Sequence, residues 1–184
     1  MVRLGSSLHG RLAREAQKRG LSLNRLCECF LEKGLEKQTA TEEPPWKKES
    51  LRILRRIQQQ FAGNLIGLVA FGSQIRGEAT SASDLDLLVV VSKEIEIERS
   101  LYQGWENNAP SRLPFEVNPH FVRLPSSASD AGGIWFEIAL ESEILWQQDQ
   151  RVTDFLSQIQ EAIQSNKVCR FWSNGHPYWV RNAA

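Results

Sequence analysis

The stretch LVAFGSQIRGEATSASDLDLLVVV, residues 68–91, joins two apolar runs through a turn of small and polar residues. The runs 65–71 and 85–91 consist almost entirely of aliphatic side chains, which is typical of strands buried on both faces. Segments with helical spacing of apolar residues surround them. These helices are predicted at 47–62, where Leu51, Leu54, Ile57 and Phe61 form the apolar stripe, and at about 94–107, 134–142 and 150–166. The alternation predicts an α/β (α+β) fold in which helices flank a sheet.

The turn carries residue types that suit a phosphate and a metal ion. Gly72, at the end of a strand, lets the main chain approach a phosphate closely, and the Ser73 hydroxyl can donate a hydrogen bond to it. Asp84 and Asp86 are two residues apart, so on a strand both carboxylates point to one face. Such paired oxygen ligands suit Mg²⁺, which binds through one or two carboxylates plus substrate phosphates. Arg76 adds positive charge for a polyphosphate.

The pattern G-S-x-x-R-G followed by S-D-x-D-L, with an apolar strand on each side, resembles the signature of minimal nucleotidyltransferases of the DNA polymerase beta superfamily. The resemblance covers roughly residues 47–150. It implies a mixed sheet flanked by helices and a nucleoside triphosphate, with ATP expected, bound through two metal ions, for which Mg²⁺ is expected. It also implies transfer of a nucleoside monophosphate with release of pyrophosphate. The metals would bridge phosphate oxygens and neutralise charge on the leaving group.

The same family carries a third carboxylate on a later strand, where it ligates the metal nearest the attacking hydroxyl and can act as the base. No obvious aspartate stands there in this chain. Glu116 is the candidate, because the predicted strand 115–122 alternates polar and apolar residues and places Glu116, Asn118 and His120 on one face. The alternative is that Glu116 is a solvated strand residue. In that case the domain binds nucleotide without efficient transfer.

The beginning of the chain is basic and predicts a helical hairpin. Residues 1–40 contain eight Lys or Arg and four Glu, although the whole chain has no net charge. A short extended segment at Val2–Leu4 precedes a first helix, Gly20 ends that helix, and Ser22 caps a second one. The predicted inner face of this second helix consists of Leu23, Leu26, Phe30 and Leu31. The concentration of positive charge favours an anionic partner for this head.

The head resembles a ribbon-helix-helix domain, a dimeric DNA-binding fold, on the V-R-L segment, the Ser-Leu start of the first helix, Gly20, and the Ser-Leu-Asn start of the second helix. The resemblance implies a homodimer in which Arg3 reads bases in the major groove and main-chain amides near Ser22 or Asn24 contact phosphate. Only one residue precedes Val2, so the ribbon is shorter than usual in that family. The alternative is a hairpin that only packs two chains together.

The segment QTATEEPPW, residues 38–46, is rich in proline and polar residues and predicts a boundary. We therefore predict a head at 1–38, a linker at 39–46 and a nucleotidyltransferase domain at 47–184. No run of roughly 18 apolar residues is present, and the start does not resemble a signal peptide. A cytoplasmic location without membrane association is expected.

Together, the two parts favour an antitoxin that transfers AMP to a partner protein and binds its own operator DNA. The resemblance implies a helical HEPN-type ribonuclease as the toxin partner. One alternative is transfer to a small molecule such as an aminoglycoside, although the chain is short for a second substrate-binding domain. Another is a DNA-binding dimer whose nucleotidyltransferase-like domain is catalytically weak. The role of Glu116 separates this last hypothesis from the first.

Overall fold

A computed structural model describes the chain over four ranges: residues 6–39, 43–80, 82–173 and 176–182. Within these ranges the α-helices are α1 (Ser6–Lys18), α2 (Leu23–Thr39), α3 (Pro45–Phe61), α4 (Ser73–Arg76), α5 (Arg99–Asn108), α6 (Gly133–Leu140) and α7 (Arg151–Gln164). The strands are β1 (Leu65–Phe71), β2 (Leu85–Val91), β3 (Val117–Arg123), β4 (Ser142–Gln147), β5 (Val168–Ser173) and β6 (His176–Arg181). Short 3-10 helices lie at Ala62–Asn64 and Ala128–Asp130.

The chain divides into two compact units, one comprising residues 43–164 and the other joining 1–42 with 165–184. The first unit contains a four-stranded sheet in the order β3-β2-β1-β4. β1 is antiparallel to β2 and β4, whereas β2 and β3 are parallel. The sheet is therefore mixed and flanked by helices, which confirms the predicted fold class.

The two central strands have the bounds that their apolar runs predict, because both of their faces are covered. All residues of β1 before Phe71 are buried, and in β2 every residue except Asp86 is buried. Since a fully buried aliphatic side chain contributes about 1.5–3 kcal/mol, these strands form a rigid centre for the unit. Asp86 is the polar exception within this centre.

Helix α3 packs one face on the sheet through Trp46, Ile53, Ile57 and Phe61, all of which are buried. Leu51 is 64% exposed, so its predicted place in the inward apolar stripe is wrong. The helix period explains the difference, because Ile53 and Ile57 are one turn apart and define the inner face. Leu51 consequently lies on the outer face of α3.

The second unit contains the helical hairpin α1–α2 and the strand pair β5–β6, which is antiparallel. Gly20 has φ 64°, and a Cβ at this position would lie 2.7 Å from the Trp172 ring, so the turn after α1 favours glycine for two reasons. Leu26 on α2 is buried, but Phe30 and Leu31 are 42% and 65% exposed. The predicted inner face of the second helix is therefore wrong at these last two positions.

Two sequence predictions concern the ends of the chain. The extended segment Val2–Leu4, with Arg3, lies outside the described residues. The strands β5 and β6 group with residues 1–42 in the structure, whereas the predicted domain boundaries place them with 47–184.

Of the helices that the structure describes, none combines the length and the apolar character required to cross a membrane.

Candidate nucleotide and metal site

The candidate site begins at the corner between β1 and α4. Gly72 has φ 82° and ψ −160°, a combination that is essentially restricted to glycine. A Cβ at this position would overlap the carboxylate of Asp86. The Gly72 carbonyl accepts hydrogen bonds from the amides of Ile75, at 3.2 Å, and Arg76, at 3.1 Å, and these bonds start the short helix. Position 72 therefore requires glycine for its conformation and for the close approach of Asp86.

Asp86 lies on β2 between the last residue of β1 and a polar pair on β3. It is opposite Phe71 in the antiparallel register and opposite Asn118 in the parallel one. The Asn118 amide donates a hydrogen bond to Oδ1 of Asp86 at 3.0 Å. His120 Nε2 is 3.7 Å from the same oxygen and 3.3 Å from Asn118 Nδ2. The carboxylate is 27% exposed, so solvent and a ligand can reach it.

The ring of His120 also contacts the ring of Phe71. Their ring centroids are 5.4 Å apart with a tilt of 57° between the planes. This contact connects the end of β1 with β3 across the Asp86 position on β2. The strands therefore place an aromatic ring, an imidazole, an amide and a carboxylate at one edge of the candidate site.

Asp84 immediately precedes β2 and is exposed. The turn before it is held by Ser83, whose hydroxyl accepts a hydrogen bond from the Thr80 amide at 2.9 Å and whose carbonyl accepts one from Gln74 Nε2 at 3.0 Å. Residues two apart share a face in an extended chain, so this spacing favours a common side for Asp84 and Asp86.

The remaining predicted site residues surround this corner to different degrees. Ser73 is the first residue of α4 and is half-buried beside Gly72. Arg76, at the end of α4, makes an exposed ion pair with Glu78, with Nε 2.6 Å from Oε2. Glu116 is exposed and precedes β3 by one residue, and its carbonyl accepts a hydrogen bond from the Leu85 amide at 2.8 Å.

Two carboxylates suit one Mg²⁺ that is also bound by substrate phosphates. Within the described parts of the chain, no three Cys, His, Asp or Glu side chains are grouped so that they could hold a metal ion. The structure thus brings Asp86 close to Gly72 but does not gather Asp84, Asp86 and Glu116 into a set of three ligands. Asn118, a neutral amide, occupies the position on β3 that pairs with Asp86.

Sequence reasoning placed Asn118 and His120 on the face of Glu116 but assigned them no role. The alternation of residues 115–122 is the signal that reveals this shared face. Their contact with Asp86 depends on the parallel register between β2 and β3, which joins residues 32 positions apart. A single sequence does not specify that register.

Comparison with known protein families agrees with the fold and with the motif. The model of the nucleotidyltransferase domain family matches residues 48–176, well over half of the chain. The chain belongs to this family. The match confirms the predicted nucleotidyltransferase domain, and its range includes every candidate residue of the site. A model of the HicB family matches residues 1–31, within the head.

Several solved structures are similar in structure to this nucleotidyltransferase-family chain, at low sequence identity. A crystal structure of a toxin-antitoxin with AMP-PNP is 15% identical with a TM-score of 0.46, and the match covers 63% of this chain and 88% of that one. The toxin-antitoxin MntA-HepT is 15% identical with a TM-score of 0.44, covering 66% and 89%. A structure from Shewanella oneidensis is 17% identical with a TM-score of 0.42, covering 66% and 88%. Comparison with curated proteins gives no match.

Proposed function

We propose that this chain binds Mg²⁺ and a nucleoside triphosphate, with ATP expected, at the corner between β1 and β2. The close approach of Asp86 to Gly72 is the observation that carries the proposal, because it sets a carboxylate beside a main-chain turn with no side chain. Asp84 and Asp86 would hold the metal, which would supply positive charge against the negative charge of the phosphates. Gly72 and Ser73 would contact the phosphates.

Arg76 would contribute charge to the polyphosphate. Its ion pair with Glu78 is exposed, with 39% and 51% of the two side chains accessible. Exposed pairs of this kind contribute only about 0–1 kcal/mol. A triphosphate carries more negative charge than a single carboxylate, so Arg76 can exchange Glu78 for the substrate at little cost.

The proposed reaction is transfer of AMP to a hydroxyl group. The acceptor oxygen forms a new bond to the α-phosphorus, the bond from that phosphorus to the bridging oxygen breaks, and pyrophosphate leaves with the electron pair. The acceptor proton passes to a base, for which Glu116 is the predicted residue. This role for Glu116 stays a prediction that its exposed position before β3 permits.

The proposed acceptor is a side-chain hydroxyl of a partner protein, and the proposed biological role is that of an antitoxin with a HEPN-type toxin partner. Asp84, Glu116 and Asn118 are all exposed, so this edge of the unit is open to a large acceptor. A small acceptor such as an aminoglycoside would gain more from an enclosed site, which buries most of a ligand's surface.

The head is proposed to form a homodimer that binds operator DNA. Ser22 Oγ accepts a hydrogen bond from the Arg25 amide at 3.2 Å, which supports the predicted cap at the start of α2. Asn24 is exposed at the same helix start. These features leave the beginning of α2 available to a phosphate, and Arg3 is the proposed reader of bases.

One observation favours the second candidate function, a nucleotide-binding domain with weak transfer. Asn118 donates a hydrogen bond to Asp86 from the β3 position where a third carboxylate would face the metal. The amide contributes no negative charge there. Asn118→Asp tests this reading directly, because it adds a carboxylate without changing side-chain length.

Metal-dependent binding is tested by calorimetry with ATP in the presence of Mg²⁺ and after its removal with EDTA. Asp84→Asn and Asp86→Asn should each abolish measurable Mg²⁺-dependent binding while circular dichroism stays unchanged. Glu106→Gln, which removes an exposed carboxylate on α5, is the matched control and should bind as the wild type does. Binding that persists after both aspartates are replaced would refute the site.

Transfer is tested with ATP labelled at the α-phosphate and a purified partner encoded beside this chain. The wild type should label the partner, and Ser73→Ala should label it far less. If only Asn118→Asp labels it, the weak-transfer function is correct. Label on an aminoglycoside but not on the partner would contradict the proposed acceptor.

A further inference from the structure

A groove of about 600 Å³ lies on the outer face of α3, away from the face that packs on the sheet. Its walls are α3 itself and the loop after α5, at Pro110 and Ser111. Four cationic side chains line it: Lys48, Arg52, Arg55 and Arg56. None of the residues proposed for the nucleotide site takes part, so the groove is a separate surface of the same unit.

Positive charge is concentrated in this groove, although the unit that contains it is acidic. Residues 43–164 contain eleven Lys or Arg and seventeen Asp or Glu, so the unit as a whole is acidic. Four of those eleven cations nevertheless lie in the groove, with Glu49 as the acidic residue among its lining. A focused positive patch on an acidic unit selects a negatively charged partner by local complementarity.

Two of the four cations build the groove and two are free to bind. Arg52 donates to the carbonyl of Ser111 at 2.7 Å, and Arg56 donates to the carbonyl of Asn108 at 2.6 Å, which fixes the loop against α3. Lys48 and Arg55 are exposed, and within the described residues neither side chain makes a hydrogen bond or an ion pair. Their charges are therefore available to a ligand.

The loop on the other wall has a strained backbone. Arg112, which follows Ser111, has φ 61°, a left-handed conformation that is unfavourable for a residue with a Cβ. The bonds from Arg52 and Arg56 hold the residues on its N-terminal side in place. Strain that the surrounding contacts maintain is frequent at binding surfaces and supports a functional role for this wall.

An exposed leucine identifies the class of anion. Leu51 lies between Lys48 and Arg55 on the outer face of α3, is 64% exposed, and lines the groove together with Pro110. A phosphate backbone would leave Leu51 in water. Among the described residues that line the groove, none is an aromatic residue on which bases could stack. A protein segment with an apolar side chain between carboxylates can cover Leu51 and also form ion pairs with the cations.

We propose that this groove docks an acidic amphipathic segment of a partner protein. An apolar side chain of the segment covers Leu51 and Pro110, while its Asp and Glu side chains pair with Lys48 and Arg55. This binding surface lies on a part of the domain that takes no part in the proposed transfer reaction.

The test measures fluorescence anisotropy of a labelled helical peptide that has Glu residues flanking Leu residues at helical spacing. The full chain should bind it saturably at low salt. The double variant Lys48→Glu with Arg55→Glu should weaken binding at least tenfold, because like charges then meet at the contact. Leu51→Gln should weaken it about tenfold, the equivalent of one buried apolar side chain.

The matched control is Lys93→Glu with Arg99→Glu, which makes the same change in charge at exposed positions outside the groove. It should leave peptide affinity within about twofold of the wild type, and all variants should retain Mg²⁺-dependent ATP binding. Absence of saturable binding, or an equal loss in the control, would overturn the proposal. Tighter binding of a labelled single-stranded RNA that the groove variants abolish would identify the surface as a nucleic-acid site instead.

Discussion

Replacing Gly72 with alanine tests whether the corner between β1 and α4 positions the Asp86 carboxylate. The backbone conformation there, φ 82° and ψ −160°, costs a residue with a side chain about 1–3 kcal/mol. The new methyl group would also overlap Oδ2 of Asp86, and overpacking of this kind costs about 1–3 kcal/mol. We expect the free energy of unfolding to fall by about 2–6 kcal/mol, the sum of both effects. The Asp86 carboxylate must also move away from the corner.

Gly77→Ala is the matched control, because Gly77 also has positive φ, 68°, but nothing lies within 4 Å of its Cβ position. It should lose only the strain energy of about 1–2 kcal/mol. Thermal unfolding with and without Mg²⁺ and ATP separates the two variants. Ligand at one hundred times its Kd stabilises a protein by about 2.7 kcal/mol, and Gly77→Ala should keep this gain while Gly72→Ala loses it. Equal gains in both variants would refute the positioning role of Gly72.

Three further predictions concern the core, a charged turn and the head. Gly67→Ala brings a methyl group 2.7 Å from buried Val152, so chemical denaturation should show a loss of about 1–3 kcal/mol without loss of ATP binding. The hydrogen bond from Arg151 lowers the pKa of Asp149. Its stabilisation is therefore present above the ordinary value of 3.8 and lost as pH falls through the lowered pKa. Asp149→Asn should accordingly lower Tm at neutral pH but not in strong acid. Arg3→Ala should weaken operator binding about tenfold or more in gel shifts, with salt-sensitive non-specific binding remaining. Equal wild-type affinity for operator and scrambled DNA would leave the head as a dimerisation hairpin.

The predictability of each strand follows from how it is buried. β1 and β2 are covered on both faces, so their apolar runs specify the bounds Leu65–Phe71 and Leu85–Val91 that the structure shows. β4, at Ser142–Gln147, is half-buried along its whole length and has neither a continuous apolar run nor a clear alternation. The sequence therefore does not predict β4 as a strand. The Asn-Gly pair between β5 and β6 is a sequence signal for a hairpin, although the elements predicted above do not include these two strands.

The helices show which parts of a periodic pattern are informative. For α3 the predicted stripe contained Ile57 and Phe61, which are buried, and Leu51, which is not. Leu51 fits the helical spacing of the buried residues although it lies on the outer face, so the sequence alone does not distinguish it from a residue of the inner face. Its surroundings, the groove and the cations that line it, are visible only in the structure.

The chemistry of the candidate site depends on one pairing that joins distant parts of the chain. Motif spacing predicts that Asp84 and Asp86 share a face, but the residue that faces Asp86 from β3 is determined by the parallel register. That residue is Asn118, which is neutral. The carboxylates of Asp84 and Asp86 therefore carry two negative charges, and position 118 adds no third. Two charges balance one Mg²⁺, whereas a second divalent ion would require compensation from the substrate phosphates or from Glu116. Binding of a metal-nucleotide complex is therefore better supported by the site than activation of the acceptor hydroxyl. Nucleotide affinity and transfer rate should consequently respond differently to Asn118→Asp, with the larger change in the rate.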